Sequence, residues 1–117
     1  MKPNELRIGN LTDKGVIKSF YEHGVHVGMG KCFSFDELHP VEITCDILLK
    51  YGFKKSSPKQ YASDAKNLKT ATIYECGIIV WNENTKMTWV GNCCIDNVEY
   101  FHDIQNLFFA LTGTELV

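Results

Sequence analysis

The first third of the chain alternates apolar and polar residues over short runs, which is the period of β-strands. In the run VIKSFYEHGVHVGMG (residues 16–30) the alternation is interrupted at EHG, where Gly24 is expected to supply the positive φ that a tight hairpin favours. The run CFSF adds another short strand, and Pro40 then breaks the pattern because it cannot donate to a ladder. Short strands punctuated by DKG, EHG and GMGK predict a small, bent barrel or meander of the SH3-like type.

The next segment, ITCDILLKYGF (residues 43–53), predicts a short α-helix with recognisable ends. Thr44 can cap the helix, Asp46 suits its positive N-terminal end, and Gly52 suits the left-handed position that closes it. Phe53 is placed to fold back on Leu48 as in a Schellman ending. We therefore expect this helix to be docked on the rest of the protein.

Three strand-like runs follow: TIYECGIIVWN, KMTWV and CCIDNVEY, joined by NENT and the two-residue GN. This arrangement predicts an antiparallel meander. Pairing Trp81 with Lys86 across NENT makes both faces apolar. One face then carries Ile78, Val80, Met87 and Trp89, and the other carries Ile79, Trp81, Thr88 and Val90.

The last helix of the predicted fold begins near His102 and has a continuous apolar stripe. The stripe consists of Phe101, Ile104, Leu107, Phe108 and Leu111, with His102, Asp103, Gln105 and Asn106 on the other side. Burial of one such apolar side chain contributes about 1.5 to 3 kcal/mol, so we expect the stripe to be core that covers one face of the meander. Phe109, one step off the stripe, is expected to be partly covered.

Because one helix can cover one face only, the other face must meet the N-terminal lobe or a second chain. Trp81 lies at a strand end beside a polar loop, where we expect it to be half-exposed and to anchor an interface. Trp81 and Phe109 are the candidate protein-binding residues, and a homodimer is favoured over a closed monomer.

These elements predict an α+β fold in a single domain with two lobes. Residues 1–53 form a barrel-like lobe with one short helix, residues 54–70 a basic loop, and residues 71–117 a three-stranded antiparallel meander packed by the C-terminal helix. An apolar content of 44% with 22% charged residues is that of a folded protein.

The formal net charge of −2 hides a basic middle and an acidic end. The segment 50–69 holds six lysines, whereas residues 71–117 hold one lysine and six acids. Such a segment can bind phosphates without reading sequence, although the single arginine, Arg7, disfavours base-specific recognition. The candidate nucleic-acid contacts are Lys54, Lys55, Lys59, Lys66 and, for stacking, Tyr61.

Cysteines and histidines form no complete catalytic or metal signature. The five cysteines are odd in number and lack a C-x-x-C pair, so we expect reduced thiols, no disulfide framework and no bound metal. The four histidines are scattered, no catalytic residue or cofactor is predicted, and a Cys–His couple involving Cys94 stays open. His102 could titrate near neutrality. With no apolar run of membrane-spanning length and a polar start, MKPNELRIGN, the expected location is the cytoplasm without membrane contact.

Three segments carry a family resemblance: NELRIGN (residues 4–10), ITCDILLKYGF (43–53) and YFHDIQNLFFALTGTEL (100–116). In these segments, about a third of the chain, it resembles a family of small uncharacterised proteins of gut Bacteroidetes and of their phages and mobile elements. The resemblance implies a cytoplasmic protein often carried on mobile DNA, and it brings no catalytic residue.

The leading functional hypothesis is a non-enzymatic interaction module of phage or mobile-element origin that binds a protein partner or itself. Two alternatives stay open. One is a phage-encoded inhibitor of a bacterial defence system, and the other is a weak nucleic-acid binder that uses the lysine segment.

Overall fold

The computed structural model describes residues 1–56, 72–91 and 93–116. Its described part is a mixed α+β fold with antiparallel sheets and two α-helices, as the sequence predicts. The helices are α1 (Cys45–Lys50) and α2 (Phe101–Thr112), and short 3-10 turns occur at Pro3–Glu5 and Phe35–Glu37. The strands are β1 (Leu11–Thr12), β2 (Gly15–Val16), β3 (Ser19–Tyr21), β4 (Gly24–His26), β5 (Cys32–Ser34), β6 (Lys54–Ser56), β7 (Ile73–Cys76), β8 (Ile79–Asn82), β9 (Met87–Val90) and β10 (Cys93–Ile95).

The chain divides into two compact units, Met1–Glu42 with Glu99–Val117, and Ile43–Val98. The first is called the N-terminal unit below and the second the sheet unit. These boundaries differ from the predicted lobes, because α1 groups with the sheet and α2 groups with the N-terminal residues.

The N-terminal unit contains the hairpin β1–β2 and the sheet β3–β4–β5. The predicted hairpin at EHG and the strand in CFSF are both present, but the described strands form no closed barrel of the SH3-like type. The positive φ expected at Gly24 is wrong. Gly24 is required by packing instead, since a Cβ there would lie 2.0 Å from the carbonyl oxygen of Phe33. The core of these strands consists of Leu6, Ile17, Val25 and Leu38.

Helix α2 ends at Thr112, where Gly113 adopts the left-handed conformation and donates its N–H to the Phe109 carbonyl. Phe101 and Ile104 are fully buried, but Leu111 at the end of the predicted stripe is 42% exposed. The polar residues on the other side of α2 do not form a solvent-exposed face, because His102 and Gln105 are also buried.

Hydrogen bonds explain why Gln105 is buried and Asn106 half-buried. The Gln105 side chain accepts from the Leu11 N–H (2.8 Å) and donates to the carbonyls of Gly9 (2.9 Å) and Leu116 (3.1 Å). Asn106 accepts from the Asn10 side chain at 2.9 Å. These side-chain hydrogen bonds of Gln105 and Asn106 therefore go to residues 9–11 and to Leu116, contacts that the sequence did not predict.

The sheet unit contains α1 and one five-stranded antiparallel sheet in the order β10-β9-β8-β7-β6. The predicted ends of helix α1 are confirmed. Thr44 Oγ1 accepts from the Ile47 N–H at the start, and the Phe53 N–H donates to Leu48 O at 2.9 Å at the end. The run TIYECGIIVWN, predicted as one strand, forms two, because Gly77 adopts a positive φ of 60° and turns the chain. The sheet consequently has more strands than the predicted three.

The register across NENT differs from the prediction by two residues. Trp81 pairs with Thr88 instead of Lys86, and Asn82 pairs with Met87. Since side chains alternate with a period of two, this shift leaves the predicted membership of β8 and β9 on each face unchanged. One residue, Ile78, lies outside the strands in the turn before β8.

Candidate functional site

One face of the five-stranded sheet exposes two large apolar side chains on the same strand. On β9, Met87 is 42% and Trp89 is 36% exposed, and they point to one side because they are two residues apart. Asn82 lies directly opposite Met87, and Val80 and Cys94 flank Trp89 on the neighbouring strands. We call the surface formed by these five residues the Trp89 face.

The opposite face contains Trp81, and here the expectation of a half-exposed anchor is wrong. Trp81 is 1% exposed and packs beside the Tyr74 ring, with ring centroids 6.2 Å apart. The Lys86 ammonium lies 5.1 Å from the indole centroid, within cation–π range. Trp81 is therefore core, and Trp89, which the sequence did not single out, is the accessible tryptophan.

Tyr74 is the group of this face whose titration changes most on folding. Burial raises the pKa of Tyr74 to about 12, and the nearby Glu83 carboxylate and Cys45 sulfur add to the rise. A buried phenol resists ionisation because the phenolate loses its hydration.

This pKa shift predicts an alkaline loss of stability that Tyr74→Phe reduces. The folded pKa lies above the ordinary value of 10.0, so the stabilisation is complete below pH 10 and is lost as the pH rises toward 12. Urea unfolding at pH 9, 10 and 11 should show a shallower decline for Tyr74→Phe than for the wild type. Parallel declines would contradict the assignment.

Phe109, the second candidate anchor, is covered on one side by Arg7. The guanidinium carbon lies 3.5 Å from the ring centroid, and the same guanidinium pairs with Glu115. The prediction that Phe109 is partly covered is confirmed. A partner would have to displace Arg7 to use this ring face, so Phe109 is a poorer anchor than Trp89.

The lysine segment is represented by two described residues. Lys54 and Lys55 are exposed on the edge strand β6, and as neighbours on a strand they point to opposite faces of the sheet. Lys59, Tyr61 and Lys66 lie outside the described residues. The two described candidates, Lys54 and Lys55, are therefore not brought together on one face.

The buried histidine His102 is 2% exposed and stacks on Tyr100 with ring centroids 6.2 Å apart. Its Nε2 lies 3.4 Å from Asp103 Oδ1, but neither ring nitrogen makes a hydrogen bond within the described residues. Asp103 instead accepts from the N–H groups of Glu99 and Tyr100 at the start of α2.

A thiol and an imidazole meet on the surface of the N-terminal unit, where the sequence showed no such couple. The Cys32 sulfur lies 2.9 Å from His26 Nδ1. The sequence contains one signal for this thiol–imidazole pair, the GMGK turn between the two residues. A hairpin centred on that turn places residues 26 and 32 directly opposite each other. The sequence also left open a Cys–His couple involving Cys94. The residue directly opposite Cys94 is Trp89 and not a histidine.

In the part of the chain that the structure describes, no three His, Cys, Asp or Glu side chains approach closely enough to hold a metal ion. Within those same residues, no helix is long and apolar enough to cross a bilayer. The chain matches no protein-family model, no curated protein and no solved structure. The resemblance to small Bacteroidetes and phage proteins accordingly stays a prediction.

Proposed function

We propose that the chain is a non-enzymatic protein-interaction module whose contact surface is the Trp89 face. The observation that carries this proposal is the exposure of Trp89 and Met87 side by side on a regular sheet. Aromatic residues and methionine are enriched in protein interfaces, where a few such anchors supply most of the binding energy. The proposed location is the cytoplasm, where the free thiols of all five cysteines would stay reduced.

The proposed partner is a second copy of the chain. The five residues of the Trp89 face are uncharged. The charged residues on the same side of the sheet, Glu75 on β7 and Lys54 on β6, lie directly opposite each other and have opposite signs, so two copies can approach face to face without net repulsion. A two-fold contact uses the same patch on both chains, so Trp89 and Met87 of each chain are buried and both copies contribute to the binding energy.

Self-association should therefore depend on Trp89. Light scattering from about 1 to 100 μM should show conversion of monomer to dimer, the range expected for a contact of roughly 7 kcal/mol. Trp89→Ser and Met87→Ser should each shift the midpoint to higher concentration while leaving the melting temperature nearly unchanged.

Leu111→Ser is the matched control, because Leu111 is also 42% exposed but belongs to α2 of the N-terminal unit and not to the sheet. It should dimerise like the wild type. A wild-type protein that stays monomeric over the whole range would reject the second copy as partner, and equal effects of Leu111→Ser and Met87→Ser would reject this surface.

The alternatives of a defence-system inhibitor and a weak nucleic-acid binder stay predictions from the sequence. Neither gains support from a described contact, since Lys54 and Lys55 point to opposite faces.

A further inference from the structure

His26 and Cys32 are directly opposite residues on the antiparallel strands β4 and β5. The turn that joins these strands has Met29 and Gly30 at positive φ, and the Lys31 N–H donates to Gly28 O at 3.0 Å. Such a turn fixes the register, and opposite residues on antiparallel strands point to the same face. The close approach of the thiol and imidazole is thus a consequence of the hairpin.

The imidazole is also held by an aromatic neighbour. The Tyr21 ring lies edge-on to His26, with centroids 5.2 Å apart and an interplanar angle of 60°. Gly24 occupies the position opposite Tyr21, so no side chain there separates the Tyr21 and His26 rings. The ring presents Nδ1 to the sulfur at 2.9 Å, whereas Nε2 is 3.9 Å away.

A cysteine reacts as its thiolate, and a base within hydrogen-bond distance can remove the thiol proton during attack. Cys32 is exposed, so an external electrophile can reach the sulfur. We propose that Cys32 is a reactive surface thiol, assisted by His26, that forms mixed disulfides with anionic low-molecular-weight disulfides.

In the proposed step the Cys32 sulfur attacks one sulfur of the disulfide R–S–S–R while His26 accepts the thiol proton. A bond forms between Cys32 and the attacked sulfur, the original S–S bond breaks, and RS⁻ leaves. The leaving thiolate then takes the proton from the imidazolium, so one disulfide and one protein thiol give one mixed disulfide and one RSH.

Two features favour this class of electrophile. Lys18 and Lys31 are exposed and lie next to this pair, since Lys31 precedes Cys32 in sequence and Lys18 donates its backbone N–H to the His26 carbonyl at 2.7 Å. As neighbours along a strand, their side chains lean away from the sulfur, but their positive charge acts over a Debye length of about 10 Å and attracts a negatively charged molecule. Cys32 is also the one cysteine in the sequence of the N-terminal unit, so that unit supplies no second thiol to release the adduct. The mixed disulfide should consequently persist.

The experiment treats the reduced full-length protein with oxidised glutathione or with the dianionic aromatic disulfide DTNB, and locates each adduct by peptide mass spectrometry. Cys93 is an internal control because it is exposed like Cys32, yet the residue directly opposite it is Val90, which carries no base. Cys32 should react at least about tenfold faster than Cys93, a conservative threshold because a positioned general base contributes about a hundredfold or more.

Two variants separate the role of His26 from simple exposure. His26→Asn should slow Cys32 about tenfold or more and leave Cys93 unchanged, with circular dichroism used to check that the strands persist. Cys32→Ser should remove the fast phase, and Cys93→Ser should keep it. Equal rates at Cys32 and Cys93 in the wild type overturn the proposal without any variant, as does an unchanged Cys32 rate in folded His26→Asn.

Discussion

Trp81→Ala should lower the free energy of unfolding by about 3 to 5 kcal/mol, the usual cost of truncating a buried aromatic side chain. The indole is 1% exposed, packs on Tyr74 and lies under the Lys86 ammonium, so its removal leaves a cavity and ends the cation–π contact. Urea unfolding followed by circular dichroism measures the loss.

The second tryptophan of the chain is the matched control. Trp89 is 36% exposed on β9, so Trp89→Ala should change the free energy of unfolding by less than about 1 kcal/mol at concentrations where the protein is monomeric. Trp81→Phe should fall between the two, since it keeps a ring and removes Nε1, which has no hydrogen-bond partner among the described residues. Equal losses for Trp81→Ala and Trp89→Ala would contradict the assignment of Trp81 to the core.

Gln105→Met should destabilise the protein by roughly 3 kcal/mol or more. Methionine has a similar length, but it leaves the Leu11 N–H and the carbonyls of Gly9 and Leu116 without their hydrogen-bond partner. Each buried backbone group left unpaired costs about 1 to 3 kcal/mol. Thermal and urea unfolding provide two measurements of the loss.

Leu111→Met introduces the same side chain on the same helix at a position that is 42% exposed. This variant should unfold like the wild type, because no hydrogen bond or core contact is removed. If Gln105→Met also stays within about 1 kcal/mol of the wild type, Gln105 does not tie α2 to the N-terminal segment.

Sequence reasoning about local structure succeeded where the signal is steric and lies within a few residues. Thr44 and Gly52 delimit α1 because a cap oxygen and a left-handed residue act on the adjacent turn. Gly91, the first residue of the predicted GN turn, likewise adopts a positive φ of 59°, and β10 pairs with β9 in the predicted antiparallel order. The two faces of β8 and β9 were also predictable, since even a two-residue error in register preserves side-chain alternation.

Reasoning about the candidate surface succeeded in part. An apolar sheet face with an exposed aromatic was predicted, but the aromatic chosen was Trp81 instead of Trp89. Both tryptophans alternate with their neighbours in the same way, so the periodicity does not distinguish a buried face from an exposed one.

The sequence by itself determined the α+β class, the ends of α1 and the alternation of the strands, because each depends on the preferences of neighbouring residues. The tertiary structure decided that Gln105 and His102 are buried, that α2 bonds to residues 9–11, and that Cys32 meets His26. These features arise from hydrogen bonds and strand pairing between residues separated in the chain, for example 94 positions between Leu11 and Gln105. Such partners are selected by the packing of the whole unit, which no local pattern of apolar and polar residues specifies.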